Sequence, residues 1–248
     1  MAGSPNPIRI GTAGWSIPKE HAGAFPVEGS HLERYGAVLD AVEINSSFYR
    51  PHRRATYERW AAAVPEHFRF AVKVPRAITH ERRLTDVGSL VDRFLSEVGG
   101  LGPRLGPLLV QLPPRLPFED GLSDAFLAGL RARVAGGIVC EPRHPSWFAP
   151  AVERLLAELR IARVAADPEP VPGAGAPGGW RGLSYFRLHG SPRIYYSAYG
   201  PEDLARIAGR LAADAAAGSE TWCIFDNTAA FAAAGNALAA RDLARAEP

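Results

Sequence analysis

Short runs of aliphatic and β-branched residues alternate along the chain with longer segments in which apolar residues recur at helical spacing. Runs of the first kind are typical of strands buried on both faces, and segments of the second kind are typical of the helices that cover them. The pattern predicts eight strands: Ile8–Thr12, Ala41–Asn45, Arg69–Val74, Leu108–Leu112, Ile138–Glu141, Ala162–Asp167, Tyr185–His189 and Trp222–Asp226.

Helices are predicted between most of these strands. Pro201, Glu202 and Asp203 together form a first turn of the kind that begins a helix. Between the sixth and seventh strands the helical pattern fails, and the Pro- and Gly-rich segment Pro168–Arg181 is predicted to be a loop. The predicted helices are Leu32–Leu39, Ala55–Val64, Val87–Gly99, Leu122–Val134, Ala151–Leu159, Pro201–Ala216 and Ala229–Leu243.

The number of these units and the length of the chain indicate one architecture. Eight strands in 248 residues give about one βα unit per 31 residues, which fits a (β/α)8 TIM-type barrel of roughly 250 residues. An open, doubly wound sheet is the alternative, but eight units without a break in composition favour a closed barrel. We therefore predict a single domain over residues 1–248.

Polar and charged residues stand at the ends of most predicted strands. The carboxyl ends of the strands form the mouth of a β/α barrel, where active sites lie. Because side chains alternate along a strand, we expect Glu43, Lys73 and Arg187 to point toward the barrel axis. One such residue is as readily explained by an ion pair that closes the barrel, but the same pattern on seven strands predicts a ligand site, because burying charge is costly. The residues at these ends are Glu43, Asn45, Lys73, Gln111, Glu141, Asp167, Arg187, His189, Asp226 and Asn227.

Composition narrows the function classes. Twenty-eight basic and 26 acidic residues leave a formal charge of +2, too small for an electrostatic nucleic-acid binder. No apolar run could span a bilayer and Met1–Pro7 lacks the features of a signal peptide, so we expect a cytoplasmic protein without a membrane partner.

Cys140 and Cys223 lie in apolar runs and are expected to be reduced. Lys19 and Lys73 are the only lysines among many arginines, which suggests that a remaining lysine is needed for its amine.

Eight short strings of residues follow one another in a familiar order. They are Gly11–Ser16, Val42–Tyr49, Phe70–Pro75, Ile78–Leu84, Leu108–Pro114, Glu141–Trp147, Phe186–Gly190 and Phe225–Asn227. In this order they resemble the YecE-like family, a widespread domain of unknown function, over about residues 8–243. The resemblance implies a β/α barrel related to the xylose-isomerase-like group, and it supplies no reaction.

The resemblance also marks individual positions. Pro142 stands where similar proteins usually carry an aromatic or hydrophobic residue, and Asp226 stands where they often carry Asn. Ile17 replaces the usual tyrosine, so the first loop is expected to contact a ligand differently. His80 lies in a loop and is expected to be solvated. The motif residues of the family fall on Glu43, Asn45, Tyr49, Lys73, Gln111, Glu141, Arg143, His144, Trp147, Asp167, Arg187, His189 and Asn227.

The residue types at the mouth favour acid–base chemistry on a small polar or anionic, sugar- or phosphate-like substrate. Lys73 is the candidate for proton transfer or attack on a carbonyl, and we expect it to pair with Glu43 or Glu141. Glu43, Glu141 and His189 are further candidates for general acid–base roles. Arginines bind carboxylates and phosphates through two hydrogen bonds. The residues expected to bind substrate are Asn45, Tyr49, Gln111, Arg143, His144, Trp147, Asp167, Arg187, Asp226 and Asn227.

Three other functions stay open at this point. Glu141, Asp167, His189 and Asp226 could hold a divalent metal ion in an isomerase- or nuclease-like barrel, although three cations in the same mouth favour a site without metal or cofactor. A barrel that binds a small ligand, or serves as a scaffold, without catalysis is the second alternative. Nucleic-acid processing is the third, and the balanced charge disfavours it.

Overall fold

The structure is a computed structural model and describes residues 7–246. The expectation that the chain begins without a signal peptide rests on residues 1–7, of which the first six lie outside this range. None of the helices described combines the length and the hydropathy that crossing a bilayer requires.

In the described residues ten strands form one sheet that is nearly closed into a barrel. They are β1 (Ile8–Ala13), β2 (Ala41–Ile44), β3 (Arg69–Lys73), β4 (Leu105–Gln111), β5 (Ile138–Glu141), β6 (Ala162–Arg163), β7 (Ala165–Asp167), β8 (Gly178–Gly179), β9 (Leu183–Leu188) and β10 (Glu220–Phe225). Around the sheet they follow the order β7-β9-β10-β1-β2-β3-β4-β5-β6-β8. Neighbouring strands are parallel except β6 and β8, which are antiparallel.

Helices lie between most of the strands. The first begins with a capping box, in which the Ser30 hydroxyl accepts from the Glu33 N–H and the Glu33 carboxylate accepts from the Ser30 N–H. Pro201 begins the longest helix within residues 7–246, with the bounds that the sequence predicts. The helices are α1 (His31–Gly36), α2 (Ser46–Tyr49), α3 (Arg54–Ala62), α4 (Gly88–Val98), α5 (Leu122–Arg133), α6 (Pro150–Glu158), α7 (Pro201–Ala216) and α8 (Ala232–Ala246).

The predicted α/β barrel is observed, as a nearly closed sheet of ten strands among the described residues where the sequence predicts eight. The sixth predicted strand is divided at Val164 into β6 and β7. The Val164 N–H still bonds to the Cys140 carbonyl of β5 at 2.9 Å, whereas the following residues pair with β9. The sheet therefore has its gap at this residue. The predicted loop Pro168–Arg181 also contains β8, which lies on the edge of β6.

Alternate residues of the strands belong to two separate apolar cores. The outward residues, such as Val42, Val72 and Phe186, belong to the larger core that also includes helix residues. The inward residues form a smaller core inside the barrel: Ala41, Ala71, Leu109, Val139, Ala162, Val164, Leu183, Tyr185, Trp222 and Ile224. Glu43, Lys73 and Arg187 share the inward parity, as the alternation of side chains predicts.

Aromatic rings fill the barrel below the charged residues. Tyr185 and Trp222 stack with ring centroids 5.9 Å apart, and both side chains are fully buried. Gly106 makes room for the indole, because a Cβ there would lie 2.6 Å from the Trp222 ring. Gly11 allows β1 to approach β2, because a Cβ at that position would lie 1.9 Å from the Ala41 carbonyl oxygen. Glycine at these two positions thus leaves space for the Trp222 ring and for the close approach of β1 and β2.

Gly11→Ala is expected to lower the free energy of unfolding by about 3 kcal/mol, because the added methyl group would collide with main chain that cannot move aside. Gly209→Ala is the matched control. It lies within α7, where a Cβ would meet nothing within 4 Å, and we expect it to stabilise the protein by about 0.5–1 kcal/mol. Urea unfolding followed by circular dichroism measures both. Equal stability of Gly11→Ala and the wild type would contradict the close approach of β1 and β2.

Candidate functional site

Charged side chains from five strands meet inside the barrel at the carboxyl ends of those strands. They are Glu43 of β2, Lys73 of β3, Glu141 of β5, Arg187 of β9 and, directly after β9 and β10, His189 and Asp226. All six are buried, with exposed fractions between 0% and 8%. This end of a barrel is the one at which loops and strand ends build active sites.

Arg187 is the centre of the cluster and is bonded to three carboxylates. Its Nε donates to Glu43 Oε2 at 3.0 Å and its Nη2 donates to Glu43 Oε1 at 2.7 Å. Nη2 also donates to Asp226 Oδ2 at 2.9 Å, and Nη1 donates to Glu141 Oε2. The three carboxylates come from β2, β5 and the end of β10, so these bonds cross the interior of the barrel.

Burial and ion pairing shift the pKa values of these buried groups in opposite directions, and pairing has the larger effect. Removing Glu141 from water would by itself raise its pKa, but Arg187, His189 and Arg143 hold that pKa well below its ordinary value. Asp226 is affected in the same way, since Arg187 and His189 outweigh the effect of burial and lower its pKa. Burial would also lower the pKa of Arg187, yet its carboxylate partners raise it well above the usual range. Glu141, Asp226 and Arg187 therefore carry fixed charges at neutral pH.

His189 and Arg143 complete the charge balance of the carboxylates. His189 Nδ1 lies 3.1 Å from Asp226 Oδ2, and its Nε2 lies 3.4 Å from Glu141 Oε1 without the geometry of a hydrogen bond. Burial lowers the pKa of His189, but the contacts with Asp226 and Glu141 raise it above the ordinary value. Arg143 donates to Glu141 Oε1 through Nε at 3.2 Å and through Nη2 at 2.9 Å. Its side chain is half-buried and borders the cluster.

Lys73 differs from the other charged groups because it has no carboxylate partner. Within residues 7–246, no carboxylate oxygen lies within 4.0 Å of its Nζ, so the expected pairing with Glu43 or Glu141 is wrong. The Nζ lies over the Phe48 ring instead, 4.2 Å from the ring centroid. Burial and the charge of Arg187 lower the pKa of Lys73 to about 8, against the more distant carboxylates. About a tenth of this amine is therefore unprotonated at pH 7, far more than in an ordinary lysine.

His80 belongs to the surroundings of Lys73, although the sequence predicts a solvated loop residue. It lies in the turn Ala77–Glu81, is half-buried and contacts Phe48 edge to face at 4.9 Å. Burial, followed by the charges of Lys73, Arg143 and Arg76, lowers its pKa to about 4. His80 is thus neutral and marks a region of positive potential beside the amine.

Two tyrosines of the site were also missed from the sequence. The Tyr185 hydroxyl donates to Glu43 Oε2 at 2.8 Å, and its inward parity is the signal that could have found it. Tyr195 packs edge to face on His189 at 5.7 Å. It comes from the loop after β9, and no periodicity in the sequence indicates its position.

Four residues expected to bind substrate use their polar groups elsewhere. Trp147 is fully buried and donates through Nε1 to the Leu116 carbonyl at 3.0 Å. Asn227 donates through Nδ2 to Ser197 O and Asn236 Oδ1, both at 2.9 Å, while its buried Oδ1 has no hydrogen-bond partner among the described residues. The other two are Asp167, which accepts from the Tyr199 hydroxyl at 2.9 Å, and His144, whose Nδ1 lies 2.9 Å from Ser146 Oγ. These contacts fix loops around the mouth.

Three further candidates lie beside the cluster without bonding to it. Asn45 directly follows β2, and its buried Oδ1 has no hydrogen-bond partner in the described part of the chain. The pairing of Ile44 with Val72 places Asn45 next to Lys73 in the sheet. Gln111 is 7% exposed and is paired with Glu141 along β4 and β5. Tyr49 is 72% exposed and lines a groove of about 270 Å³ outside the mouth.

The carboxylates of the cluster do not fit a divalent metal ion. Five of their six oxygens already accept hydrogen bonds from Arg187, Arg143, His189 or Tyr185. In the range 7–246 no three His, Cys, Asp or Glu side chains are grouped as metal ligands. The guanidinium of Arg187 occupies the place between the carboxylates at which a cation would bind.

Comparison with known sequences finds relatives of one kind. The model of a family described as a protein of unknown function, DUF72, matches residues 9–248. The UPF0759 protein YecE of Escherichia coli is 32% identical over 170 residues, which are 66% of this chain and 60% of YecE. The UPF0759 protein YunF of Bacillus subtilis is 29% identical over 154 residues, which are 58% of this chain and 53% of YunF. The chain thus matches less than two thirds of the length of either relative.

Comparison with solved structures supports the fold. A DUF72 family protein of Enterococcus faecalis superposes with a TM-score of 0.80 at 22% identity, over 97% of this chain and 96% of that one. A DUF72 family protein of Thermotoga maritima gives a TM-score of 0.77 at 24% identity, over 96% of this chain and 99% of that one. At these identities the likeness shows the fold alone.

Arg187→Met is expected to lower the free energy of unfolding by about 3–5 kcal/mol at pH 7, because it leaves three buried carboxylates without their common cation. Those carboxylates then gain protons more readily in the folded state, so the loss should shrink as the pH falls from 7 to 5. Arg133→Met is the control, since Arg133 pairs with Asp92 at the surface, and it should cost less than about 1 kcal/mol. Urea unfolding at both pH values measures the differences. A pH-independent loss would contradict the assigned charges.

Lys73→Met is expected to change how stability depends on pH in the alkaline range. The folded protein releases the Lys73 proton near pH 8, whereas an unfolded chain releases it near pH 10.4. Between these values the unfolded state binds more protons, so the wild type gains about 2–3 kcal/mol relative to Lys73→Met as the pH rises from 7.5 to 10.5. Denaturant unfolding of both proteins across this range tests it, with Lys19→Met as the control. A constant difference would mean that Lys73 keeps an ordinary pKa.

Proposed function

Since this chain belongs to DUF72, the family of proteins of unknown function that its motifs predicted, we propose that it is an enzyme for a small anionic or polyhydroxylated substrate. The substrate binds at the carboxyl ends of the strands, and Lys73 transfers protons to or from it. We place the site at the mouth of an eight-stranded barrel, in which β6, Val164 and β7 together count as one strand. The pairing of β6 with β5 and of β7 with β9 supports that count.

The unpaired amine of Lys73 carries this proposal. A lysine kept only to balance charge is expected to contact a carboxylate, and Lys73 contacts the Phe48 ring instead. An arginine, the usual cation of this chain, would stay protonated at any physiological pH, whereas a buried lysine exchanges its proton near neutrality. Groups that catalyse proton transfer need a pKa of this kind.

Two unsatisfied polar atoms support a ligand at the same place. Asn45 Oδ1 and His189 Nε2 are buried without a hydrogen-bond partner among the described residues. An unmade bond of this kind costs about 1–3 kcal/mol, so each atom is expected to find its partner in a bound molecule. Asn45 would accept from a substrate hydroxyl, and protonated His189 would donate from Nε2 to a substrate oxygen.

The charge balance favours an anionic substrate. When His189 is protonated, the state that its raised pKa favours, Arg187, Arg143 and His189 offset Glu43, Glu141 and Asp226 and leave the charge of Lys73 in excess. We assign binding of the acid group to Arg143, because its half-buried guanidinium borders the mouth. Glu43 and Glu141 then act as positioning residues that hold Arg187 and Arg143, and proton transfer falls to Lys73 and His189.

The test is proton exchange in D₂O, because a base that removes a proton from a carbon returns deuterium to that carbon. Glycolate, pyruvate, glycerol 3-phosphate and ribose 5-phosphate are each incubated with the protein, and NMR follows exchange or conversion. We expect activity with at least one of them, a loss of about a hundredfold in Lys73→Met and none in Lys19→Arg, since Lys19 is exposed.

Binding of the same four compounds is measured by calorimetry. Arg143→Gln should weaken it by about tenfold, while Arg133→Gln should leave it unchanged. Binding without exchange or conversion would identify a ligand-binding barrel without catalysis. Binding of none of the four would contradict the proposed substrate class.

A further inference from the structure

Lys73 has the surroundings of a nucleophile as well as those of a proton carrier. Its Nζ is not engaged by any carboxylate within 4.0 Å in residues 7–246, and one side of it faces the Phe48 ring. The residue is 8% exposed, so it is not fully sealed from solvent. An amine attacks carbon only when its lone pair is neither protonated nor held in an ion pair.

The other groups near Lys73 would orient a carbonyl compound that carries a negative charge. The positive charges of Lys73, Arg143 and Arg76 all act on the neutral imidazole of His80, which places these three cations around it. The Arg143 guanidinium faces Glu141 with Nε and Nη2 only, so Nη1 is directed elsewhere. A carboxylate or phosphate bound there lies on the cationic side of the mouth, which brings the carbon next to the acid group toward Lys73.

We propose that Lys73 forms an imine with the carbonyl carbon of a small aldehyde or ketone that carries a carboxylate or phosphate group. This inference rests on the proposed function and names its substrate class. The lone pair of Nζ adds to the carbonyl carbon, and the π electrons of the C=O bond move to the oxygen. The oxygen leaves as water with both hydrogens of the amine, and a C=N bond remains.

The sequence makes this step easy to detect, because Lys19 is the only other lysine. Wild-type protein is incubated at pH 7.5 with glyoxylate and cyanoborohydride, which reduces an imine to a stable secondary amine. Peptide mass spectrometry then compares the adducts on Lys73 and Lys19. At this pH an amine with a pKa of about 8 has a roughly two-hundredfold larger unprotonated fraction than an ordinary lysine, so we expect Lys73 to be labelled at least about tenfold faster.

Matched reagents and variants identify what holds the substrate. Arg143→Gln should slow labelling by glyoxylate much more than labelling by the neutral glycolaldehyde, whereas Arg133→Gln should affect neither. Glycolaldehyde phosphate beside glyoxylate shows whether phosphate or carboxylate is preferred. Lys19→Arg should leave the rate at Lys73 as it is.

The outcomes separate this inference from the proposed function. Labelling of Lys73 no faster than Lys19, with glycolate or glycerol 3-phosphate still bound in calorimetry, would overturn the imine and leave the anionic substrate in place. Equal labelling together with no binding of either compound would overturn both. Fast labelling of Lys73 that is indifferent to Arg143→Gln would overturn the assigned acid-binding group.

Discussion

The guanidinium of Arg187 inside the barrel is the interaction on which the rest of the site depends. It is fully buried and bonded to Glu43, Glu141 and Asp226. Burying a guanidinium cation costs free energy, and this cost is offset only when carboxylates accept hydrogen bonds from its N–H groups. Lysine could not replace it, because one ammonium group cannot bridge three carboxylates that approach from different strands. The bonds of this one side chain therefore fix where β2, β5 and β9 lie relative to one another.

The closed set of charges around Arg187 explains why Lys73 is left without a partner. Each carboxylate of the cluster already accepts from an arginine, a histidine or a tyrosine. Lys73 joins the same interior but finds an aromatic ring at its amine. Its pKa falls because burial and Arg187 act together, and the carboxylates act from farther away. The ion-pair network around Arg187 thus leaves an unpaired amine with a lowered pKa beside it.

The apolar residues inside the barrel determine how far along the barrel axis the charged cluster lies. Trp222 and Tyr185 fill the interior below it, and Gly106 provides the space that the indole needs. Tyr185 connects the two layers, since its ring belongs to the apolar layer and its hydroxyl binds Glu43. Charges placed lower would lie against the indole and the aliphatic residues, where no polar group could satisfy them. The site is consequently confined to the mouth.

The sequence by itself determined the features that depend on local periodicity. The inward direction of Glu43, Lys73 and Arg187 follows from alternation along each strand, and the start of α7 follows from Pro201. The α/β barrel class follows from the repeat of such units, and motifs alone predicted the family that the comparisons show.

Only the tertiary structure decided which of these groups contact one another. Arg187 and Glu43 are 144 residues apart in the chain, and the division of a strand at Val164 depends on which neighbour each half can reach. Neither the solitary amine of Lys73 nor the buried surroundings of His80 has a local signature in the sequence. Partners and pKa values are set by distances and burial, and these exist only once the strands have closed around a common axis.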